Sequence, residues 1–107
     1  MTVVDRKDKV ATIRPAGEVV AASAQELRSC MQDVVAEGAR ELIVDLSDVQ
    51  MVDSIGIGLL ISTHNSLCKL GGRLAVTHAS RDLMDLFRMM RIHQHFSVSG
   101  DTRADGI

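Results

Sequence analysis

The sequence predicts an α/β layer fold built on a mixed, mostly parallel sheet. Two observations predict it. Short apolar, partly β-branched runs alternate with longer segments of helical spacing, and glycine-rich or charged breaks separate them. The expected order is β-β-α-β-α-β-α-β. The connections after Asp45 and Gly72 are compatible with right-handed crossovers between parallel strands. A chain of 107 residues suits one domain, 1–107, with 99–107 read as a frayed, polar tail.

Residues 2–5 and 10–14 read as two short strands, with charged Arg6 to Lys9 as the turn between them. Pro15 and Gly17 then interrupt the chain. Ser23 followed by Glu26 has capping-box spacing, and Leu27, Cys30 or Met31, and Val34 recur on one helical face. The spacing predicts a helix over Ala24–Glu37, closed by Gly38. Glu41 to Asp45 is a strand whose Leu42-Ile43-Val44 run predicts burial on both faces. Leu46 to Val52 is a connector with apolar anchors at Leu46, Val49 and Val52. A second helix is expected over Ile55–Leu70, its inward face carrying Ile57, Leu60, Ile61, Leu67 and Cys68 and its end marked by Gly71-Gly72. Arg73 to Thr77 reads as a strand. Ser80 or Asp82 starts a short helix that buries Leu83, Leu86, Phe87 and Met90, and His95 to Val98 forms a last strand.

Composition excludes several classes. A net charge of -2, without a basic stripe, gives no electrostatic reason to expect nucleic acid. Phe87 and Phe96 are the only aromatic rings apart from histidine, too few for a base-stacking platform. The N-terminal stretch has no signal-peptide core, and the longest apolar run, Ile55 to Ile61, is too short to span a bilayer. No membrane association and a cytoplasmic location are therefore expected. Cys30 and Cys68 read as small buried hydrophobes of a reduced chain.

The stretch from Ile43 to Gly58 carries the chemistry. It joins a strand to a helix start and places Asp53 and Ser54 at the entrance. Unpaired N–H groups and a positive field at a helix N-terminus accept a phosphate well. The same residues also fit a plain reading, with Asp53 or Ser54 as a cap and Gly56 and Gly58 permitting close packing. Catalysis is not expected. Val52-Asp53-Ser54-Ile55-Gly56 is not a Gly-x-Ser-x-Gly elbow, and His64 lies almost three helical turns from Ser54. No metal is expected: His93-x-His95, which would share a strand face, lacks a third ligand. Asp45, Asp48 and Asp53 do not form a calcium loop. Asp82 and Asp85 suit the start of the third helix electrostatically. No glycine-rich nucleotide loop is present, and no cofactor is expected.

The run Val44-Asp45-Leu46-Ser47-Asp48-Val49-Gln50-Met51-Val52-Asp53-Ser54-Ile55-Gly56-Ile57-Gly58 resembles the STAS family, and within it the anti-sigma factor antagonists. Gly17-Glu18-Val19, Gly71-Gly72-Arg73-Leu74-Ala75-Val76 and Leu83 to Ile92 resemble the family's other motifs in the same order, so the likeness spans about 3–98. The resemblance implies a single STAS-like domain with helices packed mainly on one face of the sheet. It implies a non-enzymatic protein that binds a serine kinase, itself an anti-sigma factor, and is released by phosphorylation. A PP2C-type phosphatase would reset it. The phosphorylated residue matches Ser54, and the partner surface matches Asp53, Ser54, Ile55 and Gly56 together with Gly17, Glu18 and Val20. A monomer suffices.

The sequence departs from the family pattern at three places. Ile55 replaces a second serine, leaving one candidate hydroxyl. Val20 stands where an aspartate is usual. The chain stops soon after its last strand, where the family has a further helix. The alternative is a non-cycling STAS scaffold or regulatory subunit, indifferent to the state of Ser54. An acyl-carrier reading of Asp53-Ser54-Ile55 conflicts with the weak charge and the β-branched runs.

Overall fold

The computed structural model describes residues 2–100. Strand β1 (Thr2–Lys7) turns through Asp8 and Lys9 into β2 (Val10–Pro15). Then follow α1 (Ala21–Ala36), β3 (Glu41–Asp45), α2 (Ser54–Lys69), β4 (Arg73–Ala79), α3 (Arg81–Met89) and β5 (Ser97–Gly100). The five strands form one sheet in the order β1-β2-β3-β4-β5. β1 runs antiparallel to β2, and every later pairing is parallel. The mixed, mostly parallel α/β sheet read from the sequence is the one observed.

Strand register decides where the core sits. Ala11, Leu42 and Leu74 form one row across the sheet, and Ile13, Val44 and Val76 form the next. All six are essentially sealed from solvent and join one core with Leu27, Met31, Leu60, Leu67 and Phe87 of the helices. Burying each of these large side chains contributes about 1.5–3 kcal/mol. The intervening row, Thr12, Ile43 and Ala75, points the other way and is half-buried. The expectation that β3 is buried on both faces is thus corrected. Side chains alternate along a strand, and the helices cover the Leu42 and Val44 face.

Two glycine positions show how the chain reverses. Gly38 has φ +109° immediately after the C-cap residue Glu37, as the sequence anticipated. At Gly72 a Cβ would lie 2.1 Å from the Arg40 carbonyl oxygen, so α2 can return to β4 only where no side chain intervenes.

Local corrections have physical causes. α1 starts at Ala21 rather than Ala24, and Ser23 is its third residue, not its cap. The Ser23 hydroxyl accepts from the Val20 N–H and donates to the Glu18 carbonyl oxygen at 2.7 Å. The last strand starts at Ser97 rather than His95 and runs to Gly100 rather than Val98. A 3-10 turn over Ile92–Gln94, capped by His95, precedes β5, so the two histidines do not share a strand face. Ile92 and Phe96 are buried and anchor that turn. Cys30 is half-buried, but Cys68 is exposed, with its sulfur 3.3 Å from His64 Nε2. Met90, expected inside, is 45% exposed because α3 ends at Met89 and the chain turns through Arg91. Ser99 and Gly100 belong to β5, whereas 101–107 of the expected tail lie outside the described residues.

Candidate functional site

The connector after β3 is built by its anchors. Leu46, Val49 and Val52 are all buried, so the chain between them is pinned to the core. Asp45, the only polar residue buried among those described, starts it. Its Oδ1 accepts the Ser47 N–H at 2.9 Å, and its oxygens lie 3.5 Å from Arg14 Nε and from His78 Nδ1. Burial works to raise the Asp45 carboxyl. The Ser47 hydrogen bonds, followed by His78 and Arg14, outweigh it and set the net direction downward from the ordinary aspartate value. His78 has φ +58°, a left-handed conformation uncommon outside glycine.

The connector is tied to the segment before α1 by a short parallel bridge, Val19 to Val52. The Val19 N–H donates to the Met51 carbonyl oxygen at 2.9 Å, and the Asp53 N–H donates back to the Val19 carbonyl oxygen at 3.2 Å. Gly17 donates to the Asp48 carbonyl oxygen at 3.3 Å. Glu18 and Val20, flanking Val19, are thereby brought near Asp53, and Gly17 near Asp48, although these partners are more than thirty positions apart in the chain. Gly17 itself takes φ +91° in that loop.

Asp53 is the centre of the arrangement. One carboxylate oxygen accepts the Gly56 N–H of α2 at 2.9 Å, and the other accepts the Ala21 N–H of α1 at 3.0 Å. A single side chain therefore caps two helices. The Gly56 hydrogen bond, then that of Ala21, holds the carboxyl below the ordinary aspartate value against partial burial. Ser54 is the first residue of α2 and is exposed. No acidic residue occupies the first turn of α2. Its N-terminal field is met by Asp53 alone, and a phosphate on Ser54 would meet no further carboxylate within that turn.

Met51 (54% exposed) and Ile55 (50%), before and after Ser54 in the chain, are exposed large apolar side chains. Sequence reasoning missed Met51. The available signal was its phase: it falls between the anchors Val49 and Val52. Gly56, expected on the partner surface, packs inside the chain. It is buried, and a Cβ would lie 2.2 Å from the Val19 carbonyl oxygen and 2.9 Å from Val19 Cγ1. Gly56 lets α2 approach the Val19–Val52 bridge. Val20 is half-buried, whereas Gly17, Glu18 and Ile55 are exposed.

No lysine or arginine occurs in 15–27 or 41–68, which supply the site. Glu18 and Asp48 are exposed there. Two of the four histidines have side-chain partners: His64 packs on Phe96, with ring centroids 5.6 Å apart, and His78 meets Asp45. Among the described residues no group of three or more His, Cys, Asp or Glu side chains is placed to hold a metal. Nor is any described helix long and apolar enough to cross a membrane. A groove of about 290 Å³ lies between α1 and α2, lined by Met31, Val35, Leu59 and Ser62 among others, and does not include Ser54.

A five-stranded mixed sheet, with helices packed over its Leu42 and Val44 face, presents an exposed serine at a helix entrance. The STAS domain family matches residues 1–104, and the chain belongs to that family. Among curated relatives it is 32% identical over 84 residues to the anti-sigma-B factor antagonist of Bacillus subtilis, covering 78% of this chain and 76% of that one. A crystal structure of an anti-sigma factor antagonist from Mycobacterium paratuberculosis superposes with TM-score 0.82 at 25% identity, over 92% of this chain and 84% of the other. The phosphorylated form of the Bacillus cell fate determinant SpoIIAA shares the fold, with TM-score 0.72 at 18% identity over 99% and 97% of the two chains. Anti-sigma factor antagonists are regulatory proteins, not enzymes, and this chain groups with them.

Proposed function

We propose that this chain is an anti-sigma factor antagonist that cycles its phosphate in a partner-switching pathway. Unmodified, it binds a serine kinase that doubles as an anti-sigma factor. Phosphorylation of Ser54 releases it, and a PP2C-type phosphatase restores it. The partnership places it in the cytoplasm, and one copy suffices. The observation that carries this reading is the exposed Ser54 hydroxyl at the first residue of α2, next to a carboxylate that already holds two helix starts.

The physical case has two halves. The helix field favours a phosphate at this position, so the domain stays folded after modification. The interface does not favour it. A group carrying nearly two negative charges would sit next to exposed Ile55, where docking removes water, and beside the ionised Asp53. The segments 15–27 and 41–68 carry no lysine or arginine, Arg14 being held at Asp45, and that composition favours a partner with a basic rim, which steers encounter.

Incubation with the cognate serine kinase and ATP adds one phosphate, about 80 Da, at Ser54. Intact mass and peptide mapping read the result. No modification by a kinase active on its other substrates, or modification at another residue, overturns the reading.

A further inference from the structure

α2 carries two glycines two residues apart, and only one is explained from inside the molecule. Gly56 has the Val19 carbonyl oxygen against it. A Cβ on Gly58 would meet nothing within 4 Å, and Gly58 is exposed. Its backbone is ordinary helix: it is not one of the positive-φ glycines. A glycine inside a helix weakens it relative to alanine, so the fold alone would be better served by a side chain here.

The position is informative. Helix geometry places Gly58 one turn beyond Ser54 on the same face, and three residues beyond exposed Ile55. Bare helix backbone therefore lies directly beside the hydroxyl, with an apolar side chain protruding next to it. Van der Waals approach is closest where no Cβ intervenes.

We propose that Gly58 is a specificity-determining contact for the kinase partner. An apolar group of the partner rests on the α2 backbone at Gly58 against Ile55, while basic groups of the partner face Glu18 and Asp48. That seating sets the distance between the Ser54 hydroxyl and the phosphate it receives. A Cβ at position 58 lifts the partner off the surface, and a displacement of about 1 Å at a reacting centre lowers a rate on the order of a hundredfold. The inference rests on the kinase reading of Ser54 and extends it to a residue that the phosphate never touches.

The test compares wild type, Gly58→Ala and Asn65→Ala. Asn65 is exposed on α2 nearly two turns further on, and alanine there also favours the helix. Each protein is melted, then titrated and incubated with ATP and the purified cognate serine kinase, shown to be active on its other substrates. Both variants melt above wild type, Gly58→Ala by about 4 °C. Asn65→Ala binds like wild type, whereas Gly58→Ala binds about tenfold more weakly and is phosphorylated more slowly. Wild-type binding by Gly58→Ala overturns the contact. So does a lower melting point, which would reveal an internal role, or an equal binding loss in Asn65→Ala, which would assign the effect to helix stiffening. If wild type is neither bound nor modified by the kinase, the reading of Ser54 falls and takes this inference with it. Normal phosphorylation with unaltered Gly58→Ala binding removes only the contact.

Discussion

α2 and α3 both begin with an extended residue whose side chain accepts the backbone N–H three positions on. Asp53 takes that of Gly56 at 2.9 Å, and Ser80 takes that of Leu83 at 3.2 Å. At α3 everything stays local. A neutral hydroxyl caps the helix, Asp82 complements its first turn, and Leu83 and Phe87 anchor it in the core. At α2 the cap is ionised and shared, because its second oxygen reaches Ala21 of another helix. The residues after it, Ser54 and Ile55, face outward. The same local device closes a helix in one place and, in the other, builds a rigid platform under an exposed hydroxyl.

The comparison can be broken most strongly at Gly56. Alanine there places a methyl against the Val19 carbonyl and the Val52 side chain, backbone and core atoms that cannot swing away. Gly56→Ala is expected to destabilise by about 3 kcal/mol, read from denaturant melts. A cost below that of Ser80→Ala would mean that α2 shifts freely over the bridge. Next comes Asp53→Ala, which leaves two helix starts short of an acceptor. Its thermal midpoint should fall further than that of Ser80→Ala, with Asp53→Asn in between. Ser80→Ala loses one local cap and should cost about 1 kcal/mol.

Acid titration sharpens the same contrast. Asp53 and Asp45 are both held below the ordinary aspartate value in the folded chain. A depressed carboxyl contributes stability that is fully present above the unfolded value, about 3.9, and is lost as pH falls through the lower folded one. Stability of wild type should therefore decline below about pH 4, and Asp53→Asn should show a shallower decline. Parallel declines in wild type and variant would contradict the ionised cap. The smallest effect is at Ser54 itself. Ser54→Ala should change stability by no more than about 0.5 kcal/mol, because the hydroxyl lies outside the capping arrangement.

The sequence revealed what local chemistry decides. Glu41–Asp45 is the strand it predicted, the anchors Leu46, Val49 and Val52 are buried, and Gly38 and Gly71-Gly72 lie where the helices stop. Ser54 and Ile55 are exposed at the start of α2. What was hidden depends on distant partners. Ser23 and Glu26 look like a helix start, yet α1 begins three residues earlier because its acceptor is Asp53, 32 positions away. The outward row of β3 and the exposure of Cys68 depend on which faces the helices cover, which periodicity within one element does not specify. Gly56 and Gly58 look alike in sequence. Only the Val19 carbonyl separates a packing glycine from an open one.

The central claim is that charge at Ser54 controls attachment to the kinase. Its most direct test is a binding titration of the purified cognate kinase against the unmodified chain, the Ser54-phosphorylated chain and Ser54→Ala. The account predicts that the unmodified chain and Ser54→Ala bind alike, and that the phosphorylated chain binds at least tenfold more weakly, a difference of about 1.4 kcal/mol. Equal affinity for all three would contradict it and would favour a scaffold indifferent to the state of Ser54.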